Sequence, residues 1–307
     1  MITERHVWWQ EGRDAMSLRR RIAAWAGCAY LLTAGAAGAQ GLVFTTIDFP
    51  GAVLTNAQGI NAQGEIVGFY TDTAGRTHGF LQSGGHFRSI DFPGAESTQV
   101  RGIGPAGDIV GSYLREGESA GVPNHGFLMT RRGGFFKVDV PGHLNTIAQR
   151  ILPDGTIVGC YHDNNTTTTM FGAIISGRRP QATTAYASMH NGATPDGRLI
   201  AGLYTDLTDG RGKAYVIRDG VFSPLEVPGA TQTAAWDVSP SGLVVGLYRD
   251  AAGAFHGFQW DGQMFGRIDV PGATATRVFG VNAHGDLVGA FVDAVGRTHG
   301  FLAQWRR

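Results

Sequence analysis

A short motif, Gly-x-aliphatic-Val-Gly, recurs six times in this chain at a nearly constant spacing, and the fourth copy diverges from the pattern. Its closing glycines follow one another at steps of 43, 48, 43, 44 and 43 residues: Gly68, Gly111, Gly159, Gly202, Gly246 and Gly289. A fixed period of about 20–50 residues is typical of proteins built from repeated supersecondary units. The repeat therefore constrains the fold before any single residue is interpreted.

The first copy contains four short apolar segments separated by turn residues. They cover Thr55–Asn61, Glu65–Tyr70, a segment that starts at His78, and His86–Asp91. Four strands in about 43 residues match one propeller blade, whereas a solenoid coil needs only about 20–30 residues. The second segment is apolar at successive positions, which predicts a sheet covered on both faces, as a blade is by its neighbours.

The two ends of the repeat region complement each other. Leu42–Pro50 resembles a fourth strand with no blade before it, and the last copy stops at Arg307 after its third strand. Pairing of the first strand with the last copy would close the ring and remove exposed sheet edges. We predict an all-β protein, a single six-bladed β-propeller of four-stranded blades over residues 40–307. The 47 glycines suit this turn-rich class.

Residues 1–39 are predicted to be a signal peptide. Arg19–Arg21 form a basic segment, Ile22–Thr33 are largely apolar, and Ala37-Gly38-Ala39 is a small-x-small cleavage pattern before Gln40. The apolar stretch of about 12 residues is too short for a membrane span. Residues 1–15 resemble sequence upstream of the true start of translation, which we place at Met16. We expect export to the periplasm or the extracellular space.

The charge balance is neutral, with 25 basic and 25 acidic residues and no basic stripe. We therefore expect no nucleic-acid partner. No later apolar segment suggests a membrane span, and we expect a monomeric protein. After cleavage Cys160 would be the only cysteine, so an intramolecular disulfide is not expected. Its place in an apolar column predicts a small buried side chain rather than a nucleophile.

The repeated pattern Gly-Ile-Asn, Gly-x-Ile-Val-Gly-x-Tyr, His-Gly-Phe-Leu and Ile-Asp-x-Pro-Gly-Ala resembles the HAF-type bacterial extracellular repeat. The family is named for His-Ala-Phe, and this chain has Gly at the middle position, as in His78-Gly79-Phe80. The resemblance covers nearly all of residues 42–304. It implies export and a repeat scaffold, and it implies no shared catalytic residues.

Two polar columns recur with the repeat. One is an Asp after the second strand and the other is a His that opens the third strand: Asp72, Asp163, Asp206, Asp250 and Asp293, and His78, His125, His256 and His299. Copies in different blades are too far apart to share a metal ion. We therefore predict structural hydrogen bonds between Asp and His within each blade rather than an acid–base or metal site.

Positions that break the repeat are better candidates for a binding site, because a ligand is rarely six-fold symmetric. The first strands should line a central channel, and several of their residues differ from blade to blade: Arg101, Arg150, Asn191, Trp236, Asp237 and Arg277. Such amide, guanidinium and indole groups suit a sugar or another polar ligand. The loops from Gly111 to Gly126 and from Gly159 to Gly172 are also longer than their counterparts.

These features predict a binding module for a glycan or a protein. The alternatives are a propeller hydrolase or lyase that acts on an extracellular polysaccharide, and a structural envelope component. As an enzyme, the chain would depend on Tyr161, His162 or His190 for acid–base chemistry. No cofactor is expected, although Asp206-x-x-Asp209 and Asp163-Asn164-Asn165 could offer oxygen ligands to Ca²⁺.

Overall fold

The computed structural model describes residues 41–118, 124–163, 170–175, 181–182 and 187–306. Every regular element in these ranges is a β-strand, and the 24 strands form six four-stranded sheets. The described part of the chain contains no helix of the length and apolarity needed to cross a membrane. The predicted signal peptide lies outside the described residues.

Each blade is an antiparallel sheet whose strands follow chain order, except for the outermost strand of blade six. The strands have the following bounds. Blade one contains β2 (Leu54–Ile60), β3 (Ile66–Thr71), β4 (Thr77–Ser83) and β5 (His86–Ile90). Blade two contains β6 (Ala95–Ile103), β7 (Ile109–Arg115), β8 (His125–Met129) and β9 (Phe135–Lys137). Blade three contains β10 (Asn145–Ile151), β11 (Ile157–His162), β12 (Phe171–Ile175) and β13 (Gln181–Ala182).

The remaining blades follow the same order. Blade four contains β14 (Ala187–Ala193), β15 (Leu199–Thr205), β16 (Gly212–Arg218) and β17 (Val221–Leu225). Blade five contains β18 (Gln232–Val238), β19 (Val244–Arg249), β20 (Phe255–Trp260) and β21 (Phe265–Ile268). Blade six contains β22 (Ala275–Val281), β23 (Leu287–Val292), β24 (Thr298–Trp305) and, as its outermost strand, β1 (Leu42–Ile47).

The ring closes through its first strand, as predicted. β1 pairs antiparallel with β24 over six residue pairs, from Leu42 opposite Trp305 to Ile47 opposite Gly300. All six blades therefore have four strands, and the fold is a six-bladed β-propeller.

The continuous apolar run in the second strand of each blade is explained by burial on both faces. Val67 packs with Val100 and Ile103 of blade two, whereas Ile66 packs with Ile47 and Val288 of blade six. Ile66 and Val67 are 2% and 0% exposed. Successive side chains of β3 thus contact opposite neighbours, and the core lies between blades rather than at one centre.

The closing glycine of each motif is required by close contacts. A Cβ atom at Gly68 would lie 2.0 Å from the carbonyl oxygen of Asn56 and 2.9 Å from the ring of Phe80. The same clash with the first strand recurs at its five counterparts: Gly111, Gly159, Gly202, Gly246 and Gly289. The motif that defines the repeat therefore marks where the first two strands approach most closely.

The connections between blades are fixed by a threonine. In the turn before blade one, the Phe49 amide donates to Thr55 Oγ1 at 3.0 Å, and the Ala52 amide donates to the Phe49 carbonyl at 3.1 Å. The same side-chain bond is made by the threonines that begin four other blades: Thr98, Thr146, Thr233 and Thr276. These bonds tie five of the six connections to the first strand that follows.

Candidate functional site

The first strand of each blade lines the central channel, and its second-last residue is Gly in four blades. Blades three and five carry Arg150 and Asp237 there, and the ring brings these two residues together. Arg150 Nε lies 3.3 Å from Asp237 Oδ2, and both residues are 7% exposed. We call this pair the axial plug.

Backbone groups from several blades complete the axial plug. The Arg150 guanidinium donates to the carbonyl oxygens of Arg101, Gln149, Gln58 and Phe279, at 2.7, 2.8, 3.0 and 2.6 Å. Its hydrogen bonds therefore reach blades one, two, three and six. Gly102 is one of the four glycines at this position, and a Cβ atom there would lie 3.1 Å from the Arg150 side chain. The glycine therefore leaves room for that side chain.

Asp237 is stabilised as an anion by three groups, although burial opposes its charge. Its carboxylate accepts the Val238 amide at 2.9 Å and the Val281 amide at 3.2 Å, and it faces Arg150. Burial is the larger effect and raises the pKa of Asp237 above the ordinary value. A buried ion pair of this kind depends on both partners, because either one alone would be an uncompensated charge.

The plug separates two channel mouths that share no lining residue. One mouth is formed by the turns between first and second strands and is mainly apolar. It includes Ile103 and four prolines at equivalent or adjacent turn positions, Pro105, Pro153, Pro195 and Pro240, together with both plug residues. Access from one side of the ring therefore ends at the plug.

The opposite mouth lies where the first strands begin, and we call it the arginine mouth. It encloses about 310 Å³. Its lining comes from blades one, two, four, five and six: Asn56, Gln58, Phe69, Arg101, Leu203, Gln232, Ala234, Trp236, Leu247, Phe255, Arg277 and Phe279. This volume is at the lower end of the range for small-molecule sites, about 300–1,000 Å³.

Two guanidinium groups of the arginine mouth lie against aromatic rings. Arg277 Cζ is 4.5 Å from the centroid of Phe255, and Arg101 Cζ is 5.9 Å from that of Phe69. Burial lowers the pKa of Arg101 to about 10, where the nearby charge of Arg150 acts in the same direction, and burial also lowers the pKa of Arg277. Arginine stays protonated in proteins despite such shifts, so both charges lie in a partly desolvated setting.

Buried polar atoms without a hydrogen-bond partner in the described protein are concentrated on the first strands. They include Gln58 Oε1, Arg101 Nε and Trp236 Nε1 at the arginine mouth, and Gln149 Oε1 and Asn191 Oδ1 on neighbouring first strands. Such groups are costly to leave unpaired and mark places where water or a ligand completes the bonding. The Trp236 ring also packs edge-on against Phe279, with centroids 5.0 Å apart.

The structure divides the six predicted binding residues into three groups. Arg101, Trp236 and Arg277 line the arginine mouth, whereas Arg150 and Asp237 form the plug. Asn191 is fully buried, and its Nδ2 donates to the Ala235 carbonyl of blade five at 2.8 Å. Only the first group is placed to meet a ligand that enters through the arginine mouth.

The residues considered for acid–base chemistry lie outside the arginine mouth. His190 is fully buried beneath Gly172 of blade three, its Nδ1 bonds to the Tyr215 hydroxyl, and burial lowers its pKa to about 4. His162 is 6% exposed at the end of β11. Tyr161 packs against the rings of Phe171 and His143. The structure does not bring these three candidates to one cavity with the arginines.

Cys160 is a buried apolar residue, as its column predicted. It is 0% exposed, and burial raises the pKa of its thiol to about 12, with Arg101 opposing the shift. A thiol in this state is a poor nucleophile.

Three of the four repeated histidines make the predicted bond to the aspartate after the second strand, His125 bonds to Glu118 instead, and all four also bind a second carboxylate. His78 Nε2 lies 3.3 Å from Asp72, and its Nδ1 lies 2.8 Å from Asp91, which precedes the next Pro-Gly turn. The equivalent pairs of carboxylates flank the other three histidines: Glu118 and Asp139 around His125, Asp250 and Asp269 around His256, and Asp293 and Asp48 around His299.

Blade four has the same bridge with a different cation. Lys213 takes the histidine position, and its Nζ lies 2.8 Å from Asp206, 3.1 Å from Asp209 and 3.6 Å from Glu226. The ammonium group thus sits among the oxygens considered as Ca²⁺ ligands. In blade three, Asp163 pairs instead with His143 at 3.0 Å, and Asn164 and Asn165 lie outside the described residues. Within the described ranges, no three His, Cys, Asp or Glu side chains are grouped as metal ligands.

Sequence reasoning missed part of the arginine mouth. Phe69 and Phe255 come from second and third strands, which the sequence analysis did not assign to the channel. The bond from each histidine to the carboxylate that precedes the Pro-Gly turn was also not predicted. The sequence did contain a sign of this second bond. Blade four replaces His by Lys and keeps acidic residues at both partner positions, Asp206 and Glu226.

Comparisons with known proteins identify the fold. No family model matches the chain, and no curated protein sequence matches it. Among solved structures, it is similar to TolB from Acinetobacter baumannii (TM-score 0.53, 12% identity, 78% of this chain and 63% of that chain covered). It is also similar to the β-propeller domain of the Trilobed protease from Pyrococcus furiosus (TM-score 0.50, 13% identity, 84% and 96% covered). A putative TolB from Agrobacterium tumefaciens gives a TM-score of 0.48 at 17% identity, with 72% and 87% covered.

Proposed function

We propose that this chain is an exported binding module that holds a glycan at the arginine mouth. The observation that carries the proposal is the set of buried polar atoms there without a protein partner, Gln58 Oε1, Arg101 Nε and Trp236 Nε1. They stand beside aromatic rings in a cavity of about 310 Å³. A sugar presents hydroxyl groups to such atoms and an apolar ring face to the aromatic side chains.

Binding rather than turnover suits the composition of this cavity. The twelve side chains that line it offer amide groups, guanidinium groups, aromatic rings and aliphatic surface, and none of these twelve is a carboxylate, an imidazole or a hydroxyl. General acid–base catalysis needs such a group within hydrogen-bond reach of the substrate. The alternative, a propeller hydrolase or lyase, would require His162 or His190 to act from positions away from this mouth.

The test is direct binding, measured by calorimetry against a panel of mono- and disaccharides. We expect Trp236→Ala to weaken binding at least about tenfold, as truncation of a buried aromatic contact does. Trp260→Ala is the matched control, because Trp260 lies on β20 and does not line the mouth. A panel with no ligand, or an equal loss in both variants, would contradict the proposal. Turnover that His162→Ala or His190→Ala abolishes would favour the enzymatic alternative.

Export belongs to the same proposal and rests on the basic and apolar segments of residues 19–39. Amino-terminal sequencing of the protein from the periplasm or medium should give a chain that begins at Gln40. Recovery of the whole chain in the cytoplasm with residues 16–39 intact would contradict it. Membership of the HAF-type repeat family is also part of the proposal and is supported by the repeated residues alone.

A further inference from the structure

The arginine mouth contains two cations for which the described protein supplies no counterion. No carboxylate of the described residues lies within ion-pair distance of Arg101 or Arg277. The Arg101 Nη2 atom donates to the Gln99 side-chain oxygen, a neutral acceptor, and Arg277 rests on the Phe255 ring. In contrast, the buried cation Arg150 is paired with Asp237, and Lys213, which replaces the repeated histidine in blade four, is paired with Asp206.

The positive charge is also concentrated by the shape of the site. Arg101 and Arg277 come from blades two and six and line one cavity of about 310 Å³. Aromatic rings and aliphatic side chains form most of the remaining wall, so the charges are weakly screened. Burial disfavours the charged form of both groups, and an anion inside the cavity would offset that cost.

We infer that the ligand is an acidic glycan whose carboxylate is bound by Arg101 and Arg277. This inference rests on the proposed function and names its ligand class. A guanidinium group matches a carboxylate through two parallel N–H···O bonds, and such charge-assisted bonds are stronger than neutral ones. The unpaired atoms of Gln58 and Trp236 are then left to bond with the hydroxyl groups of the same sugar.

The axial plug adds a geometric restriction. Arg150 and Asp237 close the channel beneath the arginine mouth, and hydrogen bonds from Arg150 hold the plug to four blades. A polymer therefore cannot thread through the ring. The site takes the end of an acidic chain or a single acidic sugar, and it admits the ligand from one side only.

The experiment is calorimetric titration of the protein with galacturonate and glucuronate and with their neutral parents, galactose and glucose. We expect each acid to bind at least about tenfold more tightly than its parent, since a charge-assisted pair is worth more than a neutral bond. The preference for the acids should shrink as salt is raised from 50 to 500 mM, because the Debye length falls roughly threefold and the charges are screened more strongly. Glucose 6-phosphate is a further anionic probe, and tighter binding of the phosphate than of the two acids would overturn the assignment of a carboxylate.

Arg277→Gln should weaken binding of the acids far more than binding of the neutral sugars, so that most of the preference for the acids is lost, and Arg277→Lys should retain part of that preference. Arg88→Gln, an exposed arginine of β5, is the matched control and should change nothing. Melting temperatures of all variants show whether each is folded. Neutral sugars that bind as tightly as acids, with loss on Trp236→Ala, would overturn this inference and leave the proposed function standing. No binding of any sugar would overturn the proposed function itself.

Discussion

His299 Nδ1 lies 2.9 Å from Asp48 Oδ2, although 251 residues separate the two in the chain. Asp48 directly follows β1, and His299 belongs to β24, the strand with which β1 pairs. The bond therefore joins the first and last strands of the ring. In every other blade with this histidine, the equivalent carboxylate lies only 13 or 14 residues away. The same side-chain bridge is thus local in three blades and closes the propeller in the sixth.

Loss of this bridge should loosen the ring closure. We expect His299→Ala to lower the free energy of unfolding by about 1–2 kcal/mol, because two charge-assisted hydrogen bonds are removed from a largely buried side chain. Thermal melting measures the effect. The control is His86→Ala, since His86 is an exposed residue of β5. Equal melting temperatures for the two variants would show that the bridge does not stabilise the closed ring.

The contribution of this bridge should depend on pH. Burial alone would lower the pKa of His299, but its bonds to Asp48 and Asp293 outweigh burial and raise the pKa above 6.5. The stabilisation is therefore complete below pH 6.5 and is lost as pH rises through the raised pKa of the folded state.

At low pH the stabilisation by the bridge changes with pH in the opposite direction. A hydrogen bond from the Arg297 amide, together with that from His299, lowers the pKa of Asp293, so its contribution is lost as pH falls through that lowered value. The difference in melting temperature between the wild type and His299→Ala should be largest between about pH 4 and 6.5. A difference that grows above pH 7 would contradict this account.

The axial plug should behave as a coupled pair. Asp237→Ala leaves the Arg150 charge buried without a partner, and we expect a loss of about 3–5 kcal/mol in the free energy of unfolding. The double variant Arg150→Gly/Asp237→Gly restores the residue found at this position in the other four blades. Its loss in the free energy of unfolding should be about 1–3 kcal/mol smaller than the sum of the losses in the two single glycine variants. Denaturant unfolding checks both values, and strict additivity would contradict the coupling. Glu96→Ala, at an exposed site of β6, is the control.

The closing glycine of the repeat should tolerate no side chain. A Cβ atom at Gly246 would lie 2.1 Å from the Ala234 carbonyl oxygen and 2.8 Å from the Phe258 ring. We expect Gly246→Ala to cost about 1–3 kcal/mol or more, because the first two strands of blade five must separate. Gly134→Ala is the control, since the nearest atom to its Cβ would be 3.4 Å away. Similar unfolding midpoints for the two variants would show that the clash is relieved without cost.

Cys160 should be inert in the folded protein. Its side chain is fully buried and burial raises its pKa to about 12, so both access and thiolate formation are suppressed. With Cys28, the other cysteine of the sequence, replaced by Ser, we expect a thiol reagent at pH 8 to label Cys160 only after unfolding in guanidinium. Rapid labelling without denaturant would show that blade three opens readily.

Particular residues show how far the sequence determined this protein and where the tertiary structure took over. The spacing of Gly68 and its counterparts, the apolar run at Ile66 and Val67, and the unpaired strand at residues 42–50 predicted the six blades and their closure, because each signal is local and repeats. The side chains that break the repeat were recognisable as exceptions for the same reason. Their partners were not, since Arg150 meets Asp237, and Arg101 shares a cavity with Arg277, only when the ring closes. Contacts across a ring axis join residues far apart in the chain, and no local pattern encodes which of them meet. The tertiary structure alone therefore separated the buried plug from the arginine mouth.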